Sequence, residues 1–288
     1  MRITELTSPS NPKIKYVVKL RSHQTRRETG EMIVEGFREC RRALDAGYAP
    51  SAIFHCPELY LKHENESRLV EDASKAGAHV FLCSKAAFEK MAYKERPDGL
   101  LMTGPHVARR LDGFDPPPGS LVIVTESIEK PGNLGTILRS ADAGRVAAVI
   151  VCDPATDIHN PNVVRASTGT LFSVPVIEAE SDEALAWLKS HGFKILAATP
   201  HAPKLHFEAD LTGNTAIALG AEQYGLTRKW MDGADLRVRI PMLGTADSLN
   251  VSAAATILVY EAVRQRIASG MEKVPDFEPW HGEACHDH

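Results

Sequence analysis

Three short stretches of the chain combine glycine with polar side chains that could bind or activate a ligand. The first, Pro131-Gly132-Asn133-Leu134-Gly135-Thr136-Ile137-Leu138-Arg139-Ser140-Ala141-Asp142, has the form of a loop entering a helix. It would bring the amide of Asn133 and the guanidinium of Arg139 near a strand end, and a planar guanidinium suits bidentate recognition of phosphate. The second, Leu219-Gly220-Ala221-Glu222-Gln223-Tyr224-Gly225-Leu226, ends a strand in a glycine that lets backbone and ligand approach, with a carboxylate two residues on. The third, Ile240-Pro241-Met242-Leu243-Gly244-Thr245-Ala246-Asp247-Ser248-Leu249-Asn250-Val251-Ser252, runs from a strand through a polar turn into a helix. Each has a plainer alternative. Arg139 and Asp142 sit at the spacing of a surface ion pair on a helix, turn geometry alone selects glycines, and Ser248 is an N-cap candidate, although a cap there does not explain Asn250 just inside the helix. Neither G-x-G-x-x-G nor G-x-x-x-x-G-K-[ST] occurs, so no conventional dinucleotide site or P-loop is supported.

These stretches need a scaffold, and the apolar pattern supplies one. Strand candidates fall at Leu121 to Thr125, Ala147 to Val151, Val174 to Ile177, Ile195 to Ala198, Ala216 to Leu219 and Arg237 to Ile240, several of them separated by helical patterns. Val/Ile-rich strands alternating with helices predict a mostly parallel sheet covered on both faces, with ligands at the carboxyl ends of its strands. A last helix, from about Leu249 to Arg266, carries the stripe Val251, Ala254, Ala255, Leu258, Ala262 and Val263, with Ile257 and Tyr260 off it. Apolar on two sides, it calls for two packing partners, its own sheet and a second subunit, the alternative being deeper burial in a monomer. The proline-rich segment 106–119, ending FDPPPG, reads as a linker. Before it, apolar runs at Met32 to Val34, Ala52 to Phe54, Val80 to Leu82 and Leu100 to Met102 alternate with helical patterns near 11–21, 37–46, 66–76 and 85–92, a small α/β domain. The expected division is 1–105, linker 106–119, 120–269, and an acidic, disordered tail 270–288.

Composition narrows the class. The 288 residues are 43% hydrophobic and 24% charged, as in a folded protein with room for two cores. No signal segment or membrane-length apolar run occurs, and five scattered cysteines without a C-x-x-C pair argue against disulfides and zinc, which fits a reducing cytoplasm. The net charge of −4 resides in the tail, where Glu272, Asp276, Glu278, Glu283 and Asp287 face Lys273 alone, so residues 1–269 are neutral. Residues 13–42 hold nine Lys or Arg against four Glu, a surplus that could neutralise phosphates. Lys13, Arg26, Arg27 and Arg38 are its candidate RNA contacts, the alternative being a solvated helix face. His159, His201 and His206 read as solvent-exposed, and the His/Cys-bearing end of the tail as unstructured, with no metal site assigned.

In this order and spacing the three stretches resemble the signature motifs of the SpoU family of RNA ribose methyltransferases, within the SPOUT class. Asn160-Pro161-Asn162-Val163-Val164-Arg165-Ala166-Ser167-Thr168-Gly169 resembles the family's segment between the first and second motifs. The likeness covers Leu121 to Arg266 closely. Residues 1–105, including Ile33-Val34-Glu35-Gly36, are more loosely similar to the ribosomal-protein-like substrate-binding domain of ribosomal-RNA members such as the thiostrepton-resistance methyltransferases. The resemblance implies a Rossmann-like sheet with a deep trefoil knot, a homodimer, and methyl transfer from S-adenosylmethionine to a ribose 2'-hydroxyl, with 23S ribosomal RNA favoured over transfer RNA. It further implies cofactor contacts at Thr199, Gly220, Ile240, Met242 and Leu249, and a catalytic group of Arg139, Asn133, Ser248, Asn250 and Glu222, with Arg165 on RNA phosphate. Ala221 and Gln223 depart from the family's second motif at variable positions. The alternatives are a non-catalytic RNA-binding protein of the same fold and, behind it, a nucleotide-dependent α/β enzyme, which NADH binding would reveal.

Overall fold

The structure, a computed structural model, describes residues 3–276. The first part of the chain runs β1 (Ile3–Leu6), α1 (Pro12–Lys19), α2 (His23–Thr29), β2 (Glu31–Glu35), α3 (Phe37–Asp45), β3 (Ala52–His55), α4 (His63–Lys75), β4 (His79–Cys83), α5 (Lys85–Met91) and β5 (Leu100–Pro105). Its five strands form a mixed sheet in the order β1-β4-β3-β5-β2, with β5 antiparallel to both neighbours. Side-chain caps set the first helices: Asn11 accepts from the Lys13 N–H ahead of Pro12, and Ser22 from the Thr25 N–H.

The second part runs β6 (Leu121–Glu126), α6 (Pro131–Ala143), β7 (Ala148–Cys152), α7 (Pro161–Ala166), β8 (Val176–Ala179), α8 (Ser181–Ser190), β9 (Lys194–Ala198), β10 (Lys204–Leu205), β11 (Thr215–Leu219), α9 (Arg228–Gly233), β12 (Leu236–Arg239) and α10 (Val251–Ala268). All seven strands are parallel, in the order β10-β12-β9-β11-β6-β7-β8. Every predicted strand is present, shifted by at most two residues. The chain builds outward from β6 to β8, crosses back to β9 and then inserts β11 between β9 and β6, so the direction of winding reverses beside β6 and β11. Ligand crevices in open parallel sheets lie at such reversals, outside the carboxyl ends of the strands. Buried apolar side chains cover both faces, among them Leu134, Ile137 and Leu258 on one and Leu188 and Trp230 on the other. Trp230 is fully buried, and its indole N–H donates to Ser181 Oγ at 2.9 Å.

The two sheets are joined by polar contacts as well as by the tilted rings of Tyr48 and Phe172, 4.9 Å apart. Arg26, expected to face RNA, is instead buried at the junction. Its guanidinium donates to the carbonyls of Leu20 and Arg21 at 2.8 and 2.7 Å and pairs with Asp157 at 2.5 Å, 131 residues away. His159 is likewise buried rather than exposed. It stacks on His106 with ring centroids 3.7 Å apart, and its Nε2 accepts from the Val107 N–H at 3.2 Å. These partners are distant in sequence, so neither burial was visible in local composition. The alternative pairing of Arg139 with Asp142 does not form among the described residues, Asp142 accepting from Ser173 Oγ at 2.7 Å. The tail lies outside the described residues from 277 onward, and no described helix is long and apolar enough to cross a membrane.

Candidate active site

A cavity of about 660 Å³ opens at the carboxyl edge of β9, β11 and β12. Its wall is made by the ends of these strands, the turn after β11, the loop 240–250 and the first turns of α10. Among the expected residues, Thr199, Gly220, Glu222, Ile240, Met242, Ser248, Leu249 and Asn250 all line it. Pattern reading assigned no ligand-binding role to several others that do: Lys130, Leu226, Met231, Val238, Ala254 and Leu258. Lys130 immediately precedes the first polar stretch and Leu226 closes the second, so adjacency was the available signal. His201 lines the rim while remaining exposed, as expected.

The turn after β11 is closed by the Gly225 N–H donating to the Ala221 carbonyl at 2.9 Å, with Gly225 at φ +69°. Gly220 packs directly on the backbone of Gly225 and Leu226, and a Cβ there would overlap both. From the strand side, buried Glu126 at the end of β6 accepts from the Thr227 N–H and Oγ1 at 2.7 and 2.6 Å, fixing the far end of the same turn.

Residues from all three polar stretches meet in one chain of hydrogen bonds. Asn250 Nδ2 donates to Asn133 Oδ1 at 3.1 Å, and Asn133 Nδ2 donates to Glu222 Oε1 at 2.5 Å. Asn250 is the N-cap of α10, its Oδ1 accepting from the Ser252 N–H at 2.9 Å and from Ser252 Oγ at 2.6 Å. The cap is therefore two residues beyond the predicted Ser248, which stands exposed in the loop. Glu222 also accepts from the Glu129 N–H at 3.3 Å. Burial pushes the Glu222 carboxyl up, but the hydrogen bonds from Asn133 and from backbone amides outweigh it and hold it below the ordinary glutamate value. An ionised carboxylate saturated in this way is an anchor for Asn133 and a poor base. Asn133→Ala should therefore raise the Glu222 pKa, since burial then acts with less opposition, and cost about 1–2 kcal/mol for the unsatisfied partners. Carbon-detected NMR titration of Glu222 checks the direction, and an unmoved pKa would refute the coupling.

The remaining candidates sit away from the cavity. Arg139 is exposed on α6, with no hydrogen bond or ion pair among the described residues, and Arg165 is exposed on α7 in the same condition. Six residues beyond Asn133 put Arg139 about 9 Å along α6 and about 120° around it, so it does not line the cavity of its own chain. Lys13, Arg27 and Arg38 are exposed on α1, α2 and α3. Arg27 borders a cleft of about 620 Å³ beside buried Arg26, and Arg38 borders another of about 630 Å³.

Comparison with known proteins supplies the chemical context. The profile of the SpoU rRNA Methylase family matches residues 120–260, and that of the MRM3-like substrate binding domain matches residues 11–102. Over 265 residues the chain is 30% identical to the 23S rRNA (uridine(2479)-2'-O)-methyltransferase of Streptomyces viridochromogenes, covering 89% of this chain and 90% of that one. It is 27% identical over 256 residues to the 23S rRNA (guanosine(2553)-2'-O)-methyltransferase RlmP of Bacillus subtilis (strain 168), covering 89% and 98%. The crystal structure of an AdoMet-bound rRNA methyltransferase from Sinorhizobium meliloti matches with a TM-score of 0.84 at 25% identity, over 91% of this chain and 98% of that one.

Proposed function

This chain belongs to the SpoU rRNA methylase family, and from that premise we propose that the cavity at the carboxyl edge of its parallel sheet is the cofactor site of a 23S ribosomal RNA 2'-O-methyltransferase. The activity is methyl transfer from S-adenosylmethionine to a ribose 2'-hydroxyl. The observation that carries the reading is the Asn250–Asn133–Glu222 chain, which ties all three polar stretches to one cavity wall.

The cavity suits the cofactor in size and lining. About 660 Å³ is within the range of small-molecule sites, Ile240, Met242, Leu249 and Leu258 give it apolar walls, and Gly220 lets the turn that lines it fold back on Gly225 and Leu226. When bound, the cofactor supplies an electrophilic methyl group on a sulfonium centre. The chain must bring a ribose hydroxyl in line with it and assist loss of a weakly acidic proton. We assign Asn133, Ser248 and Asn250 to orienting the ribose and its phosphate, and Glu222 to holding Asn133. Arg139 is the cation for substrate phosphate, a five-donor fork suited to that geometry.

We further infer that the site is completed in a homodimer. Leu249, Ile257 and Tyr260 are 39%, 37% and 49% exposed along the cavity lip and one side of α10, an apolar strip that a second copy would cover. Insertion of β11 between β9 and β6, with β12 returning beside β9 before the chain reaches α10, supports the deep trefoil knot of the family. We also infer a cytoplasmic location, which the reading of ribosomal RNA as substrate supports.

Calorimetry with S-adenosylhomocysteine tests the cofactor assignment. Wild-type protein should bind it, and Gly220→Ala should weaken binding by about tenfold to a hundredfold, because an overpacked Cβ displaces the Gly225–Leu226 backbone and with it the turn that lines the cavity. Retained RNA binding without cofactor affinity in the wild type would instead identify a non-catalytic RNA-binding protein.

A further inference from the structure

A contact of Arg42 with Thr168 joins the arginine-bearing helices of the two parts of the chain. Gly135 of α6 lies so close to α7 that a Cβ there would stand 2.5 Å from Ala166 Cβ and 2.8 Å from the Ser167 amide nitrogen. Arg139 is one helical turn beyond Gly135 on the same face, and Arg165 immediately precedes Ala166, so these two exposed cations, unpaired among the described residues, flank a single helix contact. Three residues past Arg165, Thr168 adopts φ +52°, unusual for a non-glycine residue. Its carbonyl and hydroxyl both accept from Arg42 Nη1, at 2.8 and 2.7 Å. Gly169 follows at φ +88°, where a Cβ would meet Arg42 Cβ at 3.1 Å and Glu39 Cα at 3.2 Å. Helix α3 is thus seated on the turn after α7, and the seat requires a glycine.

Arg42 also borders the 630 Å³ cleft formed by Phe37, Arg38, Arg41, Arg42, Asp45, Asn65 and Arg68, at the side of α3 facing α4. Arg38 falls three and four residues before Arg41 and Arg42, so α3 turns all three toward one side. Arg41 is neutralised by Asp45 at 2.6 Å and Asp72 at 2.8 Å and shapes the cleft more than it charges it. Arg68 is 72% exposed and lies 3.9 Å from Glu64, and Arg38 borders the cleft from α3, its residue exposed.

We propose that Arg38 and Arg68 line a phosphate-binding cleft for the RNA substrate, continuing a backbone path that starts at Arg139 and Arg165 and is held in one piece by the Arg42–Thr168 contact. The proposal rests on the reading of RNA as substrate and adds the route the strand takes. Two arginines lining one cleft can grip successive phosphates without reading bases, which positions an RNA rather than selecting its sequence. The rigid seat of α3 would convert that grip into a fixed distance from Arg139.

Filter binding of protein-free 23S ribosomal RNA between about 50 and about 200 mM salt is the test, run on wild type, Arg38→Ala/Arg68→Ala and Arg38→Lys/Arg68→Lys. The alanine pair should lose about tenfold in RNA affinity and lower the slope of log affinity against log salt by about two. The lysine pair should keep the slope, and S-adenosylhomocysteine affinity should be the same in all three. Unchanged RNA affinity and slope in the alanine pair overturns the cleft, as does an equal loss in the lysine pair, which would mean damage to the fold. A wild-type chain that methylates RNA while its affinity ignores the alanine pair loses only the cleft. A chain that binds through the cleft yet methylates nothing loses only the methyltransferase reading.

Discussion

Arg139→Ala is expected to lower the rate of RNA methylation by about a thousandfold, the cost of losing the cation that holds the substrate phosphate and, through it, keeps the ribose hydroxyl in line with the methyl group. S-adenosylhomocysteine affinity should stay unchanged, because Arg139 lies outside the cavity wall. Folding should also be intact, since the side chain is exposed and holds no partner among the described residues. Arg139→Lys should recover only part of the rate, because an ammonium keeps the charge and loses the planar fork that engages two phosphate oxygens. Single-turnover methylation with saturating cofactor measures this directly. A rate within tenfold of wild type, on the order of one lost exposed contact, would remove Arg139 from the reaction.

Arg26→Ala should destabilise the protein by about 3–5 kcal/mol, the cost of breaking a buried ion pair from one side. The lost groups are specific: Arg26 is 1% exposed, and its removal leaves Asp157, 11% exposed, facing the Leu20 and Arg21 carbonyls without a cation between them. The pair also has a pH signature. Burial pushes the Asp157 carboxyl up, but hydrogen bonds from His159 and Arg26, with the guanidinium charge, outweigh it and hold the group well below the usual aspartate range. Folded protein therefore binds fewer protons at this site than unfolded protein. The stability it contributes is complete above the unfolded aspartate pKa of about 4 and drains away as pH falls below it. Urea denaturation at pH 7 and in mild acid should show wild type losing stability over that interval and Arg26→Ala losing less. Equal acid sensitivity of the two proteins would contradict this.

The parts of the molecule that were readable from sequence share one property: their signal is carried by neighbouring residues. Apolar runs such as Val122 to Val124 and Val149 to Val151 announce buried parallel strands whatever lies elsewhere, and all six strands so identified are present. The cavity residues from Gly220 to Glu222 and from Ile240 to Asn250 were legible because motif order brings them together. What escaped depends on distant partners or lacks a periodic signal. Helix α2, His-Gln-Thr-Arg-Arg-Glu-Thr, has no apolar stripe and is fixed by its Ser22 cap and by Arg26 reaching into the second sheet. Strand β1 is mostly exposed and, among the described strands, pairs with β4 alone, Ile3 lying opposite Val80, while β10 has two residues. The N-cap of α10 is ambiguous in the sequence for a different reason. Ser248 and Asn250 are both capable caps, and Asn133, which engages the Asn250 amide, decides between them from another element.

Methyl transfer to the ribose oxygen can be read without knowing the target nucleotide. The protein would be incubated with tritiated S-adenosylmethionine and 23S ribosomal RNA from cells lacking this gene, and the product digested completely with alkali. A methylated 2'-oxygen cannot attack the adjoining phosphate, so the label should be recovered in alkali-stable dinucleotides and should vanish with Arg139→Ala. Label recovered in mononucleotides, or absent with cofactor and RNA both bound, would contradict the account.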